Sequence, residues 1–211
     1  MYSVLVCSII ATLPLLAVSK HVRPGTFELA GRSSVPPMHA ALLPSGNVVF
    51  LDKVENYTEA RLDNGRYAYS TIFNPDTYEL QAQRVPSNAF CCGGAFLADG
   101  TLMTMGGNGP LSWLDDSVVD GFDALRFLSA DAAEQGGDWV EYDDVKMYSK
   151  RWYASVQTLS DGQVFIASGS LNGMNTRDPK NNNPTYELLN RYGKPYGKHI
   201  TMDILVESQP Y

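Results

Sequence analysis

Residues 93–107 read GGAFLADGTLMTMGG. A short apolar run enters Leu-Ala-Asp-Gly and a second apolar run leaves it, which is the signature of a β-hairpin closed on a glycine-bearing turn. The same phrase occurs twice more, as HAALLPSGNVVFLD at 39–52 and SVQTLSDGQVFIASG at 155–169. The turn glycines are Gly46, Gly100 and Gly162. After each hairpin comes a further strand-like stretch, YSTIFNPDTYELQ (69–81), LRFLSADAAEQGGDWVEYD (125–143) and PTYELLNRYGKPY (184–196), in which Phe73, Phe127 and Leu188 fall at similar distances from the turn. The repeat is thus a unit of about four strands and about 50–60 residues, near the kelch period. The chain closes with another strand-like segment, ITMDILV (200–206), and no convincing amphipathic helix interrupts the pattern. The expected fold is all-β, a kelch-like β-propeller with about three blades present of a larger ring, since closed propellers take about four to eight.

Composition narrows the partners. The chain has 211 residues, a formal net charge of -7 and a pI near 4.9, without any run of Lys or Arg. A nucleic-acid partner needs a basic footprint and is excluded. Residues 1–19 read as a secretory signal peptide, with the apolar VLVCSIIATLPLLAV followed by Ala17-Val18-Ser19 at the cleavage positions. Pro14 and Lys20 break the apolar run short of the roughly 20 residues that a membrane anchor needs, so no membrane partner is expected. Residues 20–211 then form the partial propeller, secreted and extracellular. In that setting Asn56-Tyr57-Thr58 is an N-glycosylation sequon on Asn56. Removal of the leader takes Cys7 with it and leaves only Cys91 and Cys92, too few for a disulfide scaffold.

The repeat supplies a register. Cys91 stands six residues before the motif leucine Leu97, and Tyr153 six before Leu159. Equivalent positions on consecutive blades share a radius and a height about the ring axis, so Cys91 and Tyr153 face each other near the central channel. The register alone leaves two readings open, a chemical pair or two residues that merely pack.

NAFCCGGAFLADGTLMTMGGN and SKRWYASVQTLSDGQVFIASGS closely resemble the two signature segments of the glyoxal oxidases, relatives of galactose oxidase. VPPMHAALLPSGNVVFLD, GFDALRFL and NNNPTYELL resemble the landmarks between them, and the resemblance runs from about Val35 to the last residue. It implies a copper radical oxidase acting on a small aldehyde or primary alcohol, with O2 reduced to hydrogen peroxide. It further implies a cofactor in which Cys91 is joined by a thioether to the ring of Tyr153, whose phenolate oxygen also binds copper. An ortho sulfur makes a phenol easier to oxidise and spreads its unpaired electron. In this family the position of Cys92 holds a small residue, so Cys92 is expected as a small buried side chain, against the alternative of a strained Cys91–Cys92 disulfide. Where galactose oxidase has an aromatic shield after a Gly-Ser pair, this chain has Leu171 after Gly169-Ser170. Trp152 is expected to pack between blades.

The family draws copper's remaining ligands from a Tyr-His pair and a later His. This chain has three histidines, and none stands in such a context. His21 lies beside the cleavage site, His39 is expected to be packed, and His199 to be solvated in the GKPYGKHI loop. The chain is therefore expected to carry half of the cofactor, to lack oxidase activity alone, and to need the missing C-terminal half of the propeller. Two other classes stand beside this reading. One is a truncated extracellular module for binding or assembly. The other is a hydrolase using Cys91 as nucleophile, which needs a histidine base that the register does not place there. Asp99 and Asp161 are expected as turn residues, and Asp115-Asp116 and Asp143-Asp144 as solvated loops.

Overall fold

The computed structural model describes residues 25–209, so the segment read as a leader and His21 lie outside the described residues. The three repeats fold into three four-stranded antiparallel sheets, each in sequential order. The first comprises β1 (His39–Leu42), β2 (Val48–Leu51), β3 (Ser70–Phe73) and β4 (Leu80–Gln83). The second comprises β5 (Gly93–Phe96), β6 (Leu102–Met105), β7 (Ala124–Leu128) and β8 (Val140–Lys146). The third comprises β9 (Ser155–Thr158), β10 (Val164–Ala167), β11 (Thr185–Leu189) and β12 (Pro195–Thr201). Such meanders are the blades of a propeller-like all-β fold.

Local chemistry closes each hairpin in the same way. Gly46, Gly100 and Gly162 take φ of 89°, 84° and 85°, a region costly for side chains with a Cβ. Their N–H groups donate to the carbonyls of Leu43, Leu97 and Leu159 at 2.9, 3.0 and 2.9 Å. Asp99 Oδ1 and Asp161 Oδ1 accept from the N–H groups of Thr101 and Gln163, both at 3.0 Å, confirming their turn role.

Five details depart from the sequence reading. Val49, Met103 and Phe165 are the third residues past the turn glycines, and they pair with Ile72, Phe127 and Leu188. Ile72, not Phe73, is thus the first blade's equivalent, and it points into the core while Phe73 takes the opposite face. The β7–β8 connection contains a helix, α1 (Ala130–Gln135), capped by the Ser129 hydroxyl and ended by Gly136 at φ 70°. The segment read as a last strand is mostly the helix α2 (Asp203–Ser208). The ladder stops where Thr185, the first residue of β11, pairs with Thr201, so residues beyond it have no strand to join. Asp143 and Asp144 are exposed, as expected, but on β8 rather than in a loop. Asp115 is buried: its carboxylate accepts from the Tyr69 hydroxyl at 3.0 Å and from Ser117 at 2.6 Å.

Two apolar layers join the blades. Leu51, Ile72, Leu102, Leu128 and Trp139 pack between the first and second, and the indole N–H of Trp139 donates to Ser70 Oγ at 2.9 Å. Met103, Met105 and Leu125 pack against Val164, Ile166 and Leu189 of the third. The third blade's other face carries Phe165, Tyr186, Leu188, Tyr196 and Ile200, matched across the strands; Tyr196 and Ile200 are 43% and 50% exposed. Among the described residues, no helix is long and apolar enough to cross a membrane.

Two predictions follow from this packing. A Cβ on Gly93 would overlap the Val156 side chain of β9 and stand 3.0 Å from the Ala154 carbonyl, whereas one on Gly94 meets only ordinary contacts. Gly93→Ala is expected to cost about 1–3 kcal/mol in urea unfolding, and Gly94→Ala less than about 1 kcal/mol. Asp52, 1% exposed at the end of β2, is pushed up to about 6 by burial, with the Glu55 carboxylate adding to the effect. Because its folded pKa lies above its unfolded one, its contribution to stability is full below about pH 4 and is lost as pH rises through about 6. Asp52→Asn is expected to remove that decline and to raise stability at pH 7 by about 1–3 kcal/mol, read from denaturation midpoints across this range.

Candidate cysteine–tyrosine site

The site is built on the segments that lead into β5 and β9. A polar residue at the middle of each blade's third strand reaches back to such a segment. Opposite Phe50, Thr104 and Ile166 stand Thr71, Arg126 and Glu187. The Thr71 hydroxyl donates to the Ser33 carbonyl at 2.8 Å, ahead of β1. Arg126 donates to the carbonyls of Gly106 at 2.7 Å and Asn88 at 3.1 Å, ahead of β5. Glu187 accepts from Tyr148 N–H at 2.7 Å and from Arg151 Nε at 3.0 Å, ahead of β9. Arg151 completes its set by donating to the carbonyls of Ser168 and Thr185 and to the Thr185 hydroxyl, each at 2.9 Å. Sequence reasoning passed over Arg126 and Glu187, although a charge inside the apolar runs LRFL and YELL was the available signal.

With their segments held this way, Cys91 and Tyr153 meet. The Tyr153 N–H donates to the Cys91 carbonyl at 2.8 Å. Both residues take the left-handed conformation, φ 58° at Cys91 and 68° at Tyr153, which non-glycine residues adopt at a cost of about 1–2 kcal/mol each. Strain of this kind persists only where the surroundings over-determine it, and it concentrates at functional positions. Cys91 is buried with Phe90, Phe122 and Trp152, while Tyr153 is 47% exposed. The Trp152 ring packs between the second and third blades, edge-on to Phe90 at 6.1 Å and 5.0 Å from the Tyr153 ring. Burial, and then the neighbouring Cys92, push the Cys91 thiol up to about 11.

Cys92 does not join this site. Both cysteines are free thiols, and Cys92 belongs to the layer between the first two blades rather than to the Cys91 cluster. There it faces His39, Thr104 and Arg126. Burial alone would raise its pKa, but the interactions with His39 and Arg126 outweigh burial and lower it. His39 is displaced upward by the same thiol, against burial. His199 is exposed, as expected, but on β12 rather than in a loop. Leu171 is 37% exposed and its N–H donates to the Asn181 carbonyl at 2.8 Å. Asn56 is exposed in the loop after β2, and the Thr58 hydroxyl of the same triplet donates to Asp52 at 3.1 Å. Among the described residues there is no cluster of three or more His, Cys, Asp or Glu able to hold a metal ion.

Comparison with known proteins agrees with this architecture. The family described as "Glyoxal oxidase N-terminus" matches residues 38–191. The aldehyde oxidase GLOX of Vitis pseudoreticulata is 30% identical over 162 residues, covering 69% of this chain and 29% of that protein. A WSC domain-containing protein of Arthroderma benhamiae is 25% identical over 196 residues, covering 90% of this chain and 19% of that protein. Among solved structures, a fungal alcohol oxidase of the AA5 family in complex with copper superposes with a TM-score of 0.54 at 21% identity. That match covers 77% of this chain and 30% of the other, and it shows a shared fold. The chain thus spans under a third of the length of these relatives.

Removing Glu187 would leave the fully buried Arg151 guanidinium without its counter-charge. Glu187→Ala is expected to cost about 3–5 kcal/mol, and Glu134→Ala, on the exposed side of α1, less than about 0.5 kcal/mol, both read from urea midpoints.

Proposed function

Since this chain belongs to the glyoxal oxidase N-terminal family, we propose that it is the N-terminal part of a secreted copper radical oxidase. Its substrates are small aldehydes or primary alcohols, its oxidant is O2 and its product hydrogen peroxide. Cys91 and Tyr153 form the protein's half of the cofactor as a thioether. The observation that carries this reading is the 2.8 Å hydrogen bond between two left-handed residues that the repeat had already placed in register. The reading also draws on the aldehyde oxidase and copper-bound alcohol oxidase among the relatives.

Each residue has a part in it. The thioether bond takes one hydrogen from the Cys91 thiol and one from a Tyr153 ring carbon, a two-electron oxidation for which O2 is the acceptor. Trp152 packs against both partners and keeps water from the sulfur. Tyr153, at the surface of the described chain, presents its phenol oxygen as one metal ligand. The described residues fit this ligand but not a whole copper site, because His39 lies against Cys92 and His199 sits exposed on β12. The nitrogen donors belong to the length of protein that the relatives have beyond this chain. When bound, copper supplies the second one-electron acceptor. Phe165, Tyr186, Leu188, Tyr196 and Ile200 form the face on which a fourth blade would sit, as the third sits on the equivalent face of the second. Residues 1–19 direct export, and Asn56 carries the glycan.

The test is peptide mapping of the full-length, copper-treated, aerated protein. The Cys91 and Tyr153 peptides are expected as one species, lighter by two hydrogens than their sum and resistant to thiol reduction, and absent from Cys91→Ser. Separate peptides from copper-loaded wild-type protein would remove the oxidase reading in favour of a non-catalytic extracellular module.

A further inference from the structure

Cys92 stands where three side chains from three strands converge: His39 of β1, Thr104 of β6 and Arg126 of β7. His39 Nε2 and Thr104 Oγ1 are both buried, and neither has a hydrogen-bond partner of regular geometry. Beside them, between the first and second blades, lies a cavity of about 210 Å³. His39, Thr104 and Trp139 form part of its wall, together with Gly94 and with Gly93, the residue that follows Cys92. A water molecule's share of liquid volume is about 30 Å³, so the space admits a small neutral molecule. A packed core cysteine would explain burial. It would not explain a cationic guanidinium, an imidazole and a hydroxyl gathered around one thiol, two of them on the wall of a cavity.

We propose that Cys92 is a peroxide-oxidisable thiol, with His39 as its proton partner and the inter-blade cavity as the approach for hydrogen peroxide. His39 takes the thiol proton as the Cys92 sulfur attacks one peroxide oxygen. An S–O bond forms as the O–O bond breaks, and the other oxygen leaves as hydroxide, which takes the His39 imidazolium proton and departs as water. Sulfur is oxidised by two electrons and peroxide is reduced by two, leaving Cys92 as the sulfenic acid. Against burial, which raises it, the His39 and Arg126 side chains lower the thiol's pKa. Cys92 is only 5% exposed, so small neutral reagents reach it through the cavity. The inference goes beyond the oxidase reading, and because its test uses added peroxide it stands or falls separately.

The test treats the reduced, metal-free chain with hydrogen peroxide in the presence of a cyclic diketone that traps sulfenic acids, and locates the adduct by fragment-ion mass spectrometry. Cys92 is expected to carry it and Cys91, one residue away, to remain unmodified. His39→Asn is expected to slow trapping on the order of tenfold or more, because an amide cannot take the thiol proton. Comparing Cys92 with Cys91 in the unaltered chain needs no variant, so a His39→Asn protein that fails to fold leaves the test intact. Trapping at Cys92 only in urea, equal trapping at both cysteines, or a folded His39→Asn protein that reacts at the wild-type rate would each overturn the proposal.

Discussion

The buried ion pair between Arg151 and Glu187, 3.0 Å apart with both side chains fully removed from solvent, is the constraint on which the third blade's site depends. A charge so placed is tolerable only when each polar atom is answered, and here every Arg151 nitrogen has an oxygen partner. That requirement fixes more than the pair. It sets β11 against the segment before β9, which then enters the sheet along one path only. Arg126 does the same for the segment before β5, and Thr71 does it with a neutral hydroxyl ahead of β1. One position in the repeat therefore performs one task three times with three different chemistries.

The consequence is visible at Cys91 and Tyr153. Left-handed conformations at two non-glycine residues cost together about 2–4 kcal/mol. Breaking a buried charge pair costs about 3–5 kcal/mol, so relaxing the backbone by moving the anchored segments is the worse alternative. The strain is retained, and the two segments stay close enough for the Tyr153 amide to reach the Cys91 carbonyl. The diglycine after Cys92 completes the approach, since the missing Cβ of Gly93 lets β5 lie against Val156 of β9.

What could be read in the sequence was what the chain decides locally. Hairpin turns are set by a few adjacent residues, and Leu-x-[Ser/Asp]-Gly placed six of the twelve strands and the Cys91–Tyr153 register. The third strands were found only to within one residue. Ile72 rather than Phe73 faces the core because the β2–β3 connection, not the turn, sets that pairing. The α1 helix was present as Ser129, an alanine-rich stretch and Gly136, but was outweighed by the repeat. Nothing local could show that His39 meets Cys92. Register relates equivalent positions, whereas these two are inequivalent and meet only because the first blade packs on the second. The same blindness applied to Asp115, whose burial depends on Tyr69 from another blade.

The two adjacent cysteines can now be separated on physical grounds. A left-handed residue turns the chain sharply, and at Cys91 it sends consecutive side chains into different apolar clusters. Cys91 is surrounded by aromatic rings and held in the neutral thiol form. Cys92 is surrounded by an imidazole, a guanidinium and a hydroxyl that favour the anion. A disulfide between them would need both sulfurs on one side of the dipeptide, and the anchoring of Asn88 by Arg126 and of Tyr153 by Cys91 holds the backbone against that change. The same strain that aligns Cys91 with Tyr153 therefore keeps Cys92 apart from it, so that one dipeptide presents two sulfurs with pKa values displaced in opposite directions to two different inter-blade spaces.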